Sequence, residues 1–130
     1  MLEALIPQLG DHTAVPQGGG DICRAYRVQT ATATYFAKTP RRPDPHMFPA
    51  EAWGLRAIAT VVPGLTPQVL RVDADWLVLQ WVDEAPPSQT AAGELGRCLA
   101  RLHAAPQKAF GVCPEHARIG SLPMASGRYD

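Results

Sequence analysis

Lysine is scarce in this chain, and Lys38 is one of only two. It ends the stretch Ala33-Thr34-Tyr35-Phe36-Ala37-Lys38, whose branched and aromatic residues suit a strand. Side chains alternate along a strand, so Lys38 shares a face with Phe36 and Thr34. An ammonium there can pair with the α and β phosphates of a nucleotide, and Phe36 can cover its base. Upstream lies Gln17-Gly18-Gly19-Gly20-Asp21. Without Cβ atoms, consecutive backbone N–H groups can turn toward one anion. Asp21-Ile22 follows the glycines, where a Walker loop would have Gly-Lys-Ser/Thr opening a helix, so that reading fails. Downstream, Glu51 lies in the first half of a helical pattern, beside its apolar face. A carboxylate there can hold Lys38 in place, and an exposed first-turn glutamate favoured by the helix dipole is the plainer alternative. Further on, Gln80-Trp81-Val82 ends an apolar strand before a proline-rich linker. Its backbone groups could meet the edge of a base.

These residues need a scaffold that presents them to one site. Leu2, Leu5, Ile6 and Leu9 recur at helical spacing, and Gly10-Asp11 ends that opening helix. His12 to Pro16, Ile22 to Thr30 and Ala33 to Thr39 read as three strands, the last two antiparallel around Ala31-Thr32. Met47 to Val61 is a helix with Pro49 in its first turn. Its apolar face is Phe48, Ala52, Leu55, Ile58 and Ala59, and Gly54 leaves room for a close backbone contact. Gln68 to Val72 and Trp76 to Val82 follow as strands, the second buried on both faces. Asp83-Glu84-Ala85-Pro86-Pro87 is a linker. Ser88 caps a second helix running to about Ala105, with Leu95, Leu99 and Leu102 on one side. After Pro106 the pattern is extended loop. The expected fold is therefore α+β: a five-stranded antiparallel sheet with one crossing helix over residues 1–82, then a hinge and one further helix in residues 83–130.

Bulk properties narrow the function. Basic and acidic residues balance at 12 each, with no basic run, which argues against a nucleic-acid-binding domain. No apolar stretch approaches the ~20 residues of a membrane span, and Glu3 without a preceding basic segment argues against a signal peptide. A cytoplasmic protein is expected. The three cysteines, Cys23, Cys98 and Cys113, cannot all pair. With His103 and His116, Cys98 and Cys113 look superficially like a zinc set. The spacing fits no known finger, so they are read as buried thiols and incidental histidines. Cys23 follows the glycine loop. It is read as an inert strand thiol, with a thiol acidified by loop amides and a nearby lysine as the alternative.

In order and spacing, these pieces fit the N-terminal lobe of a protein-kinase-like phosphotransferase. The sequence also resembles the fructosamine and ketosamine kinases, relatives of the aminoglycoside phosphotransferases. The resemblance rests on Gly18-Gly19-Gly20-Asp21-Ile22 with Ala25-Tyr26, Tyr35-Phe36-Ala37-Lys38, Met47-Phe48 with Ala50-Glu51-Ala52 and Gly54-Leu55, and Leu77-Val78-Leu79-Gln80-Trp81-Val82. It continues through Leu95-Gly96, Leu99-Ala100-Arg101-Leu102-His103, Phe110-Gly111 and Ile119-Gly120-Ser121-Leu122-Pro123. It implies ATP and magnesium as cofactors, a ketosamine or other sugar hydroxyl as acceptor, and protein deglycation as outcome. Nucleotide binding then falls to Gly18, Gly19, Gly20, Asp21, Phe36, Lys38, Glu51, Gln80, Trp81 and Val82. The chain departs from the family at Gln80, where a glutamate is usual, and at Met124-Ala125-Ser126, where Gln and Asn are. It contains no His-Gly-Asp segment, which carries the family's catalytic aspartate. Catalytic and magnesium-binding residues are therefore expected in a second lobe, and these 130 residues alone are expected to be inactive. The alternatives are an aminoglycoside-phosphotransferase-like fragment and a non-catalytic module that dimerises through exposed apolar surface.

Overall fold

The computed structural model describes residues 9–18, 20–107, 109, 111–125 and 127. The opening helix expected through residues 2–8, the middle glycine Gly19, and Phe110 lie outside them. Five strands form one sheet: β1 (His12–Gln17), β2 (Cys23–Thr30), β3 (Thr34–Pro40), β4 (Val69–Val72) and β5 (Leu77–Gln80). The order across the sheet is β1-β2-β3-β5-β4, and every neighbouring pair is antiparallel. β1 carries Pro16, which cannot donate to a ladder, and β1 is an edge strand where that loss is tolerated.

Helix α1 (Met47–Val61) connects β3 to β4 and crosses one face of the sheet. Its bounds match the sequence expectation because a proline-rich loop precedes it and Pro63-Gly64 follows. Phe48 and Ala52 bury completely against Leu77 and Leu79, with Phe36 and Leu55 at the edge of the cluster. Ala14, Val28, Ala37 and Val78 form a second cluster on the opposite face, bordered by Tyr26, Tyr35 and Trp76. β5 thus divides its side chains between two cores, as its nearly unbroken apolar run required. It is shorter than expected. The backbone N–H of Gln80 still bonds the Gln68 carbonyl at 2.9 Å, and Trp81 and Val82 leave the ladder, Val82 largely exposed. The room at Gly54 has no neighbour to fill it, for a Cβ there would meet nothing within 4 Å.

Helix α2 (Gln89–Ala104) begins at Ser88, whose hydroxyl accepts the Ala91 N–H at 3.0 Å. None of its residues is buried, and Leu95 and Leu99 are exposed. The stretch expected as loop after Pro106 contains a small hairpin, β6 (Arg118–Ile119) and β7 (Leu122–Pro123), turned at Gly120 with φ +59°. Two-residue strands have no alternation to read, so periodicity could not reveal them. The sheet and crossing helix have the α+β architecture of a protein-kinase-like N-terminal lobe. No helix among the described residues is long and apolar enough to cross a membrane.

Candidate functional site

The centre of the site is a lysine–glutamate pair. β3 pairs with β2 and β5 on either side, which fixes Lys38 opposite Ala25 and Leu77. Its side chain projects onto the face that α1 crosses. Glu51, one turn into α1, receives it with both oxygens: Nζ donates to Oε1 at 2.9 Å and to Oε2 at 2.8 Å. The two side chains are 22% and 34% exposed, so the pair is partly shielded yet open to a ligand. Nζ also lies 5.9 Å from the centroid of the buried Phe48 ring. The ammonium thus sits within cation–π range of that ring.

A cavity of about 740 Å³ opens over this pair. Gly18, Gly20 and Asp21 of the glycine loop line it together with Phe36, Lys38 and Glu51. Gly20 takes φ +86°, a left-handed conformation that costs any L-residue about 1–2 kcal/mol. Gln80, Trp81 and Val82 do not line that cavity. They border a neighbouring one of about 310 Å³ that also touches Gly18 and Phe36. The structure therefore brings Gly18, Gly20, Asp21, Phe36, Lys38 and Glu51 around one space and sets the expected hinge beside it, with Phe36 bordering both. The Gln80 N–H is already engaged within the sheet.

Sequence reasoning missed several residues here. The hairpin contributes Arg118 and Gly120 to the wall of the larger cavity, its flanking residues Cys113, Ala117 and Met124 extend it, and Trp53 of α1 adds to it. Arg27 of β2 places its guanidinium 4.8 Å above the Trp81 ring. That ring also meets Phe36, with centroids 6.5 Å apart, and its Nε1 donates to Asp83 Oδ1 at 2.9 Å. The cross-strand register that puts Arg27 opposite Phe36 was the signal available, and it needed the sheet order to be read.

The cysteines are free thiols and half-buried rather than buried. Burial pushes the Cys23 thiol up, and the opposing pull of Lys38 does not overcome it. Its Sγ lies 3.5 Å from Met47 Sδ as a donor, and the acidified-thiol alternative has no support in this geometry. Among the described residues, no group of three or more His, Cys, Asp or Glu side chains converges as a metal site.

Comparison with known proteins adds an independent line. The fructosamine kinase family profile matches residues 5–125. The chain is 34% identical over 112 residues to the probable ketoamine kinase of Thermus thermophilus, covering 85% of this chain and 38% of that protein. It is 31% identical over 124 residues to a probable ketoamine kinase of Lactiplantibacillus plantarum, covering 92% and 42%. A crystal structure from Thermobifida fusca of a protein named as a putative fructosamine-3-kinase superposes with a TM-score of 0.79. That match has 32% identity and covers 90% of this chain and 42% of that one. The chain thus spans about two fifths of the length of the relatives it matches.

Proposed function

This chain belongs to the fructosamine kinase family, and from that premise we propose that it is the ATP-binding part of a kinase that phosphorylates a sugar hydroxyl of ketosamines, in the cytoplasm, as a step in protein deglycation. The observation that carries the reading is the bidentate Lys38–Glu51 pair on the wall of the cavity that the glycine loop also lines. A carboxylate that holds an ammonium by two short bonds fixes it in one place, so the charge is ready to meet a phosphate without reordering. Gly18 and Gly20 of the glycine loop would offer backbone N–H groups to the same phosphates. Phe36 would cover the base, with Trp81 and Val82 offering backbone groups to its edge. The residues present fit the triphosphate and base of ATP. They do not fit magnesium, since no carboxylate cluster accompanies Lys38 and Glu51 among the described residues. Magnesium and the base that activates the acceptor hydroxyl fall outside this proposal for the 130 residues.

The test is a titration of the chain with a fluorescent ATP analogue. Saturable binding is expected, weakened about tenfold or more in Lys38→Met, because one charge-assisted contact contributes on the order of 1.5–3 kcal/mol. Equal binding by the variant would overturn the role of Lys38. The 130 residues alone are expected to transfer no phosphate to a fructosyl-lysine mimic. A longer polypeptide that joins them to a His-Gly-Asp segment is expected to do so, in preference to an aminoglycoside. Preference for the aminoglycoside would move the acceptor assignment to that related class.

A further inference from the structure

We propose that the C-terminal hairpin clamps the start of α1, and that Arg118 is the positioning residue that holds Glu51 against Lys38 through this clamp. The inference rests on the reading of Lys38 and Glu51 as a phosphate site, and its structural half can be tested without any nucleotide.

Helix α1 begins poorly supported from within. His46 at its N-cap makes no side-chain cap bond, and its first turn carries no acidic residue. The support comes from elsewhere. Asp44 accepts the backbone N–H of His46 with Oδ1 at 3.0 Å. Its other oxygen, Oδ2, accepts from Arg118 of the hairpin at 2.7 Å. One carboxylate therefore ties the residue before α1 to β6. The pair is well shielded, with Arg118 27% and Asp44 16% exposed, so its attraction is screened less than that of a surface pair.

A second contact lies beside the first. The rings of His46 and His116 stack with centroids 4.0 Å apart and planes 25° from parallel. His116 reaches this position with φ +64°, a left-handed backbone that a residue with a Cβ holds only when its surroundings demand it. Ala117, next to it, is buried, and its carbonyl accepts the Met124 N–H at 2.7 Å, which closes the hairpin. At the turn, Gly120 lies against Ile22, the residue after the glycine loop. The hairpin thus touches both walls of the site.

The geometric consequence falls on Glu51. Each residue of an α-helix turns by about 100°. Glu51 is only five positions into α1, so a modest rotation or fraying of the first turn swings its carboxylate away from Lys38. By fixing Asp44 and His46, the hairpin removes that freedom.

The chain has two lysines, Lys38 and Lys108, so its side-chain ammonium spectrum, recorded with ¹⁵N-lysine, reduces to two signals. In Arg118→Ala the Lys38 signal is expected to move toward that of an unpaired lysine. Amide hydrogen exchange over Met47–Glu51 is expected to rise about tenfold, while exchange in β2 stays as in the unsubstituted chain. Arg118→Lys is expected to restore much of both, because an ammonium can still meet Asp44. A Lys38 signal and a first-turn exchange rate unchanged in Arg118→Ala would overturn the clamp. If Arg118→Ala does not fold, His116→Gly serves instead, since it removes the stack and relieves the backbone while leaving Asp44 paired. A smaller shift of the same Lys38 signal is expected from it, and none would overturn the clamp equally. Absence of ATP binding alongside these shifts would sink the nucleotide reading and leave the clamp standing.

Discussion

A single carboxylate turns the corner between β4 and β5. Asp73 Oδ1 accepts the N–H of Asp75 at 2.9 Å and of Trp76 at 2.8 Å, and Oδ2 accepts from Arg71 Nε at 2.9 Å. Burial alone would raise the Asp73 carboxyl, but the bonds from Arg71 and the two backbone groups outweigh it and leave it below the ordinary value. A carboxyl depressed in the fold binds its proton more readily in the unfolded chain. The stability it contributes is therefore full above the unfolded value of about 4 and is lost as pH falls through the folded value. Urea denaturation at pH 7 and at pH 3 should show this. Asp73→Asn is expected to cost on the order of 1 kcal/mol at pH 7, since the site is part-exposed and screened, and to flatten the acid loss. An equally steep acid loss in the variant would assign it to other groups. At this scale the sequence was legible where a period governed. Lys38 and Glu51 each sat on a readable face, one of period two and one of period 3.6, which made their pairing one of two readings, and the structure shows the contact. Asp44 and Arg118 were not legible as partners, because one lies in a proline-rich loop and the other in a two-residue strand, and neither has a phase to read.

The two helices differ in what holds their ends. α2 has a side-chain cap in Ser88 and none of its described residues fully buried, so its cap carries a larger share of its support than in α1. Ser88→Ala is expected to cost about 1 kcal/mol of helix stability, seen as faster amide exchange over Gln89–Ala92. Unchanged exchange there would mean that α2 is held by contacts other than its cap. α1 has the opposite balance: no side-chain cap, but Phe48 and Ala52 fully buried. Both helices could be read from the sequence, since long apolar periods and flanking prolines mark them. The strands were legible to within a residue or two at most ends. β5 was overextended because Trp81 and Val82 continue its apolar character while the ladder stops at Gln80. What redirected Trp81 was contact with Arg27, Phe36 and Asp83, and tertiary contacts of that kind leave no mark on local pattern.

At the scale of the molecule, part of the apolar side of α2 stands exposed among the described residues. Leu95 is 50% exposed and Leu99 40%, with Val82 at 60% nearby in sequence. Apolar area left in water favours association. The 130-residue chain is therefore expected to self-associate, with a light-scattering mass that rises with concentration. Leu95→Glu with Leu99→Glu should lower that mass to a monomer's. A monomer at every concentration would overturn the expectation. The general plan of sheet, crossing helix, linker and helix was legible because each element carried its own period or its own breaker. The hairpin's return onto the start of α1 was not, since it joins segments far apart in the chain.

The strand order β1-β2-β3-β5-β4 also sets an order of assembly. β1, β2 and β3 meet through short turns, so their contacts are local and close at little entropic cost. β5 must reach β3 across α1 and β4, pairing Lys38 with Leu77, and only this long closure brings Leu77 and Leu79 beneath Phe48 and Ala52. Loop-closure cost grows with the chain enclosed, and distant pairings form late. The seat of α1 on the sheet, and with it the meeting of Glu51 and Lys38, therefore waits on that closure. A ribosome releasing this chain would expose the glycine loop and Lys38 well before the strand that completes their site had been made.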